Sequence, residues 1–574
     1  MEHYDATTGS VFFSRTGCCH DISRGLRRIP IGFKTELVVL FKLAWPMCIS
    51  QMLTFLVSFV STVFCGHLGK TELAGVVLAI AAINVTGISI GAGLSSACDT
   101  LISQTFGSGN VLQVGLVVQR AILILLLACL PCWAVLVNTE LILLAVRQSP
   151  EVARLSQTYV KIFMPALPAS FMYSLEVRYL QNQAIIWPTV ITGVVVNIIN
   201  ALINYILLYI LDMGVAGSAI ANAVSQFAMA GILFLYIWRR GLYKATWSGW
   251  SRECLTEWGA FMGLAIPSMI MLCVEWWTYE MGSFLAGLIS EVELGAQSVV
   301  FELANLVIMF PLGFGVAGSV RVGNALGAGD TEQAKLSAKL TILCSVFISS
   351  CLSVVIAILK DRISYMFTFD EEIRLRAAEV VALYAPFLIL DAVALSAGSI
   401  VRGAGRQRVG ALCGILGYYG VGFPIGVSLM FPAKLGIKGL WLGLLVCVAL
   451  QSTFLLGYLA RMDWQKVTLE AQVRAGVPGN VPETLPSAPG GEEGPPGGEE
   501  DSPLLRGRAT EEEEDPAAPG EGPADGAATP PLRPAPPRPS LPRLLLRRGP
   551  ALGAMLAILL TGILTDWLIP RTVT

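Results

Sequence analysis

The sequence predicts an all-α polytopic membrane protein: two parallel six-helix repeats forming two lobes, plus a thirteenth C-terminal transmembrane helix. Three observations lead there. Thirteen apolar stretches reach the ~18 residues that a spanning helix needs. Charged residues make up only 14% of the 574-residue chain, against about 25% in soluble proteins. The chain also matches itself at a shift of about 221 residues.

The apolar stretches fall at 37–61, 73–96, 114–137, 157–176, 184–210, 215–238, 258–286, 294–318, 337–359, 377–400, 409–430, 435–460 and 551–569. None alternates with the period of a strand, which excludes an outer-membrane barrel. They are too many for a signal peptide and one anchor. Residues 1–36 carry Arg15, Arg24, Arg27, Arg28 and Lys34. Arg239, Arg240, Arg321, Arg402, Arg406 and Arg408 fall on the same side, while the opposite side holds fewer basic residues, such as Lys70, Arg147 and Lys360. That excess places the N-terminus in the cytosol, and thirteen crossings leave the C-terminus outside. Residues 37–238 then form an N-lobe, 239–257 the inter-lobe linker and 258–460 a C-lobe. Residues 461–548 are rich in Pro, Gly and Glu, too polar to bury a core, and read as a disordered cytosolic linker. Residues 549–574 supply the last helix and a short extracellular tail, outside the duplication.

The duplication rests on four matches in order. Leu43-Ala44-Trp45-Pro46 answers to Leu264-Ala265-Ile266-Pro267, and Glu72-Leu73-Ala74 to Glu293-Leu294-Gly295. Gln104, Gly107, Gly109 and Asn110 answer to Asn324, Gly327, Gly329 and Asp330, and Gly214 and Gly217 to Gly436 and Gly439. Six spans per repeat is an even number, so both repeats begin on the same side. Parallel repeats about an axis along the membrane normal are an architecture of secondary transporters. Pro46, Pro165, Pro168, Pro267 and Pro311 offer bends.

Away from the span ends, four carboxylates fall inside the expected spans, all in the second repeat: Glu275, Glu280, Glu302 and Asp391. Such groups are costly in hydrocarbon and mark ion or proton pathways. Shifted back by one repeat, Glu275 aligns with Thr54, Glu280 with Phe59 and Glu302 with Ala81, so the fold forms without them and a charge-dependent task is expected in the C-lobe. Glu275 and Glu280, five apart, diverge by about 140° around a helix and need a bend to share a site. Burial favours the neutral form of a carboxyl group, so a proton and a cation compete for it. Trp276, Trp277, Tyr279 and Phe301 offer ring faces to an organic cation, whereas a hard metal ion wants several oxygen ligands. No metal and no cofactor is expected; the driving force is a proton gradient. Gln51, Asn84 and Asn305 are further candidates to line the cavity. Asp99 is expected to be solvated or to pair near Arg321, and Lys42 and Lys161 to snorkel. His3, His20 and His67 lie outside the spans, against an imidazole relay. The thirteen cysteines lack paired metal spacing and read as packing. A net charge of −2 leaves no footprint for nucleic acid.

Cys65-Gly66-His67-Leu68-Gly69-Lys70, the segment Ser95 to Thr105, Glu275-Trp276-Trp277-Thr278-Tyr279-Glu280 and the segment Arg321 to Asp330 resemble the vertebrate multidrug and toxin extrusion (MATE) family. The likeness runs from about 37 to 460, and the appended span resembles the extra C-terminal helix of the vertebrate branch. It implies a MATE-like fold and a secondary antiporter that exports organic cations in exchange for protons across apical plasma membranes of renal tubule and liver. Implied substrates are tetraethylammonium-like compounds, metformin, cimetidine, creatinine and thiamine. The partners implied are these cations, protons and the lipid bilayer. The family's important acids map onto Glu275, Glu280, Glu302 and Asp391, and its sensitive cysteines onto Cys65 and Cys129. Two positions depart: the tenth-span acid, Glu in relatives, is Asp391, and a His three residues earlier is Leu388. A lipid-linked precursor flippase of related fold is the alternative, and it predicts a basic cavity. An enzyme is not expected, since the spans hold no nucleophile–base or metal-ligand pattern.

Overall fold

The computed structural model describes residues 32–66, 68–366, 370–477 and 541–568, and among them every regular element is helical. The basic N-terminal segment before Gly32, the three histidines, most of the 461–548 linker and the tail after Leu568 lie outside the described residues. We label the helices α1 (Phe33–Cys65), α2 (Thr71–Ser108), α3 (Val111–Val137), α4 (Pro150–Phe163), α5 (Leu167–Gln181), α6 (Trp187–Ile210) and α7 (Gly214–Arg239) in the first repeat. The second repeat supplies α8 (Trp258–Gly287), α9 (Glu291–Ala328), α10 (Thr331–Ile363), α11 (Glu371–Gly403), α12 (Gln407–Met430) and α13 (Ile437–Arg461). After these come α14 (Trp464–Arg474) and α15 (Arg548–Leu568).

Twelve of these helices are long and apolar enough to cross a membrane. The remaining expected crossing, 157–176, is built in two pieces, α4 and α5, joined by a 3-10 turn at Met164–Ala166. Proline explains the break. Pro165 and Pro168 lack the N–H that an α-helix needs four residues on, and their rings clash with the preceding turn. Pro46, Pro267 and Pro311 sit inside continuous helices instead.

α2 and α9 run to 38 residues each, well past the apolar stretches that announce them. Both end on a glycine in the left-handed region, Gly109 (φ 82°) and Gly329 (φ 84°), where a side chain would be strained. The matched motif is thus a matched helix stop. The same segments pack on each other reciprocally. A methyl group at Gly107 would collide with the Asn324 backbone, and one at Gly327 with the Gln104 backbone. Likewise Gly93 lies against Met269 and Gly313 against Cys48. Each contact has its counterpart at the repeat shift, which is what a twofold-related pair of lobes requires. Small residues permit such backbone approach inside membranes.

α1 and α8 each cross between the lobes. The first half of α1 buries Leu40, Ala44 and Met47 against Phe314, Ala317 and Leu340 of the second repeat. Its second half is tied to its own repeat, where Asn197 donates to the Leu53 carbonyl (2.8 Å) and Asn204 to Ser61 (3.3 Å). α8 mirrors this: Phe261 and Ala265 join the first-repeat core, Val274 and Ala286 the second.

Residues 464–474 depart from the disordered linker expected over 461–548. Asp463 caps α14 by accepting from the Lys466 N–H (3.1 Å), and Val467 and Ala471, one turn apart, bury against Ala325, Leu326 and Ala338. A short helix with one apolar face needs no more than this to dock. α15 packs on α3, with Asn138 donating to the Gly562 carbonyl (2.9 Å) and Lys161 3.7 Å from Asp566. Lys161 therefore has a partner as well as a route to the interface.

Candidate functional site

Within the C-lobe, α8, α11, α12 and α13 enclose a narrow cavity. Glu275 reaches it from α8, Asp391 and Arg402 from α11, Cys413 and Tyr418 from α12, and Gln451 from α13. Asp391 is 2% exposed, and its Oδ2 has no hydrogen-bond partner. An ionisable acceptor left open in a membrane interior is costly, which makes Asp391 a candidate to hold a proton or a cation.

Local geometry explains how the sequence assembles these groups. Asp391 and Arg402 are eleven residues apart on one helix, close to three full turns, so they share a face. Helical side chains lean toward the N-terminus, so Arg402 reaches back along α11 toward Asp391. Tyr418 comes from a π-helical stretch, Ile415–Gly422, in the middle of α12. Widened turns of this kind recur at functional sites because they re-aim side chains. Gly417 lets the Gln451 side chain of α13 lie directly on that stretch.

Aromatic rings back the cavity. Trp441 meets Tyr384 and Phe387 edge-on, at 5.6 and 5.3 Å between centroids, and Tyr279 lies 6.1 Å from Phe301 and 6.3 Å from Trp441. The Trp441 indole donates to Gln297 (2.9 Å), which fixes the cluster. The Tyr384 hydroxyl, two helical turns before Asp391, is buried and has no partner either.

The other sequence-derived candidates fall elsewhere. Glu280 and Glu302 lie within electrostatic reach of each other on α8 and α9 but do not line the cavity. The divergence of Glu275 and Glu280 thus persists, Pro267 notwithstanding. Trp276 and Trp277 are 38% and 37% exposed; Trp277 donates to the Val85 carbonyl (3.0 Å) on α2 and so bridges the repeats. That carbonyl belongs to a second π-helical turn, Asn84–Ile88, which also holds Asn84. Gln51 and Asn305 are half-buried on α1 and α9. Cys65 and Cys129 are buried, Cys129 donating to the Leu125 carbonyl within its own helix. Leu388 is fully buried in the second-repeat core.

Two expectations need correction. Asp99 is neither solvated nor near Arg321 as a partner: it is 5% exposed and pairs with Arg178 (3.0 Å) and Asn182 (3.3 Å). Arg321 pairs instead with Glu36, at 2.5 and 2.9 Å, with Ser337 also donating to that carboxylate (2.5 Å). Nor are buried acids confined to the second repeat, since Glu176 of α5 holds a buried Oε2 without a partner. Glu176 lies at the last position of the 157–176 apolar stretch, where hydropathy alone does not tell a buried acid from a flanking one. Arg402, Tyr418 and Gln451 were also absent from the sequence-derived candidates. The eleven-residue spacing from Asp391 is the signal that would have found Arg402.

Two six-helix repeats related about an axis along the membrane normal, with an interior cavity that holds acids, define a membrane transporter. Comparison with known proteins gives the family. The family model described as MatE matches residues 46–210 and 267–427, once per repeat. The chain is 65% identical over 461 residues to Multidrug and toxin extrusion protein 1 of Danio rerio, covering 80% of this chain and 78% of that one. It is 50% identical over 556 residues to the protein of that name from Homo sapiens, covering 94% and 95%. Among solved structures, the eukaryotic MATE transporter AtDTX14 superposes with a TM-score of 0.75 at 27% identity, covering 77% of this chain and 99% of that one. The chain belongs to the multidrug and toxin extrusion family of membrane transporters.

Proposed function

We propose that the protein exports organic cations in exchange for protons, and that Glu275 and Asp391 form the site for which both compete. One observation carries the reading: two carboxylates from different helices face one buried cavity, and an oxygen of Asp391 lacks any hydrogen-bond partner. A proton or a cation each satisfies that oxygen, and the two cannot do so together. On the proton-rich side the acids take protons and release cation; on the other they lose them and accept the next. Tyr418 and the Tyr279–Trp441 cluster supply ring faces near the charge, which suits a bulky organic cation.

The substrates we propose are tetraethylammonium-like compounds, metformin, cimetidine, creatinine and thiamine. We place the protein in apical plasma membranes, N-terminus in the cytosol. Its basic end, where Arg321, Arg402, Arg406 and Arg474 gather, then faces the cytosol. The flippase alternative calls for a basic cavity, and here two acids stand against one arginine.

The test is uptake of labelled tetraethylammonium into vesicles holding the purified protein, under imposed pH or Na⁺ gradients. A pH gradient should drive uptake in the direction set by its sign, and Glu275→Gln should abolish it. Flux that ignores reversal of the pH gradient and follows Na⁺ would remove the proton from the proposal.

A further inference from the structure

Arg402 is a buried guanidinium that the exchange cycle above leaves without a task. It is 9% exposed and lines the cavity that holds Glu275 and Asp391. Its side chain donates to the Ser399 hydroxyl one turn back (3.1 Å). Among the described residues, no carboxylate lies within 4.0 Å of it. The other charges nearest it, Asp99 and Arg178, neutralise each other at 3.0 Å. Tyr279, Tyr384, Tyr418, Cys413 and Cys447 around the acids are neutral groups, and Glu280 and Glu302 lie away from the cavity. Three formal charges therefore decide the cavity: two acids and one arginine.

With both acids ionised, the sum is one negative charge. One proton or one monovalent cation brings it to zero, and uncompensated charge in a membrane interior is strongly disfavoured. A dication would leave the cavity with a net positive charge. Without the guanidinium the sum would be two negative charges, and a dication would match it.

We propose that Arg402 determines the charge specificity of the site: it cancels one of the two acids and so tunes the cavity toward monovalent organic cations. This inference rests on Glu275 and Asp391 being the exchange site. Arg402 acts through the net charge of the cavity, so a size-matched pair of ligands isolates its effect.

The pair is the monocation N-methylquinuclidinium and the dication of doubly methylated triethylenediamine, rigid cages of nearly equal size. Each is measured as an inhibitor of labelled tetraethylammonium uptake by the full-length protein in vesicles. In Arg402→Gln the ratio of the two inhibition constants should move toward the dication by about tenfold, which is about 1.4 kcal/mol. Arg402→Lys, which keeps the charge, should retain the wild-type ratio. An unchanged ratio in a transporting Arg402→Gln protein would overturn the inference. Arg402→Met serves as a second neutral variant; failure of both to fold beside a working Lys variant would make the role structural and overturn it too. Transport surviving in Glu275→Gln would defeat the underlying site assignment. A dead Glu275→Gln with an unmoved ratio defeats this inference alone.

Discussion

Glu36→Gln should loosen the end of the protein that carries Arg321. Glu36 is fully buried near the start of α1, Arg321 is 4% exposed on α9, and their two hydrogen bonds join the first repeat to the second. Removing one partner of a buried pair costs about 3–5 kcal/mol, because the other charge stays desolvated. A glutamine oxygen still accepts one bond from Arg321 or Ser337, so about half of that, roughly 1.5–2.5 kcal/mol, is expected to be lost. The loss falls on the state in which α1 and α9 touch, since water solvates Arg321 once they part. At about 1.4 kcal/mol per factor of ten, the population of the parted state should rise between tenfold and about sixtyfold. Asn324 suits a reporter: it lines a narrow cavity beside Gly107 and Arg321, and its Oδ1 has no partner to lose. The maleimide labelling rate of Asn324→Cys, corrected for the protein without that cysteine, should increase by that factor in Glu36→Gln. A rate within twofold of the parent would refute the reasoning. So would an unchanged rate with a lowered melting temperature, which would show the pair stabilising the whole fold and not one of its states.

Other outcomes follow from the same geometry. Asp391→Asn should weaken cation exchange less than Glu275→Gln and unequally among substrates, read as separate KM values for tetraethylammonium and metformin. Leucine at Gly107 or Gly327 should abolish turnover while leaving the protein in the membrane, because each would strike the facing backbone; surface biotinylation with vesicle uptake checks both. Removing residues 478–574 should leave turnover per molecule intact. Removal from Asp463 onward also takes α14, whose Arg474 donates to Gln104 (2.7 Å) and whose Glu470 pairs with Arg406 (2.9 Å); this longer deletion should raise Asn324→Cys labelling, and equal labelling would count against it.

Much of this was legible in the chain. Apolar runs of spanning length, the internal repeat and its proline positions gave the lobes, because hydrocarbon leaves a polypeptide few ways to satisfy its backbone. Glu275 and Asp391 stood out because a charge in such a run is conspicuous. Arg402 did not, since a hydropathy window closes the tenth span at residue 400, although α11 continues to Gly403 as one helix. α2 and α9 escaped in the same way: their last turns are polar and small, yet they are buried against each other instead of facing water. Polarity signals exposure only where no partner surface exists, and here the duplicated segment was its own partner. The Asp99–Arg178 pair was missed for a related reason. Arg178 lies beyond the apolar part of the split α4–α5 crossing, and nothing local shows that the proline break brings it beside α2.

The end of α11 joins the cavity to the contact between the lobes. The Arg402 side chain lines the cavity, while its carbonyl accepts from Thr100 of α2 (2.6 Å) and the Gly403 carbonyl accepts from Gln104 (2.9 Å). Gln407, which opens α12, donates to Thr100 as well (2.5 Å). A ligand shifts a two-state equilibrium only by the difference in its affinity for the two states. An antiporter needs that difference to have the same sign for proton and cation and to vanish when neither is bound. On the proposed exchange cycle, an empty cavity of net negative charge would hold Arg402 inward, and a neutralised one would release it. The helix end that bears Arg402 is the one that α2 grips, so on the proposed cycle the charge state of the cavity would act on the contact that must break for the lobes to rock.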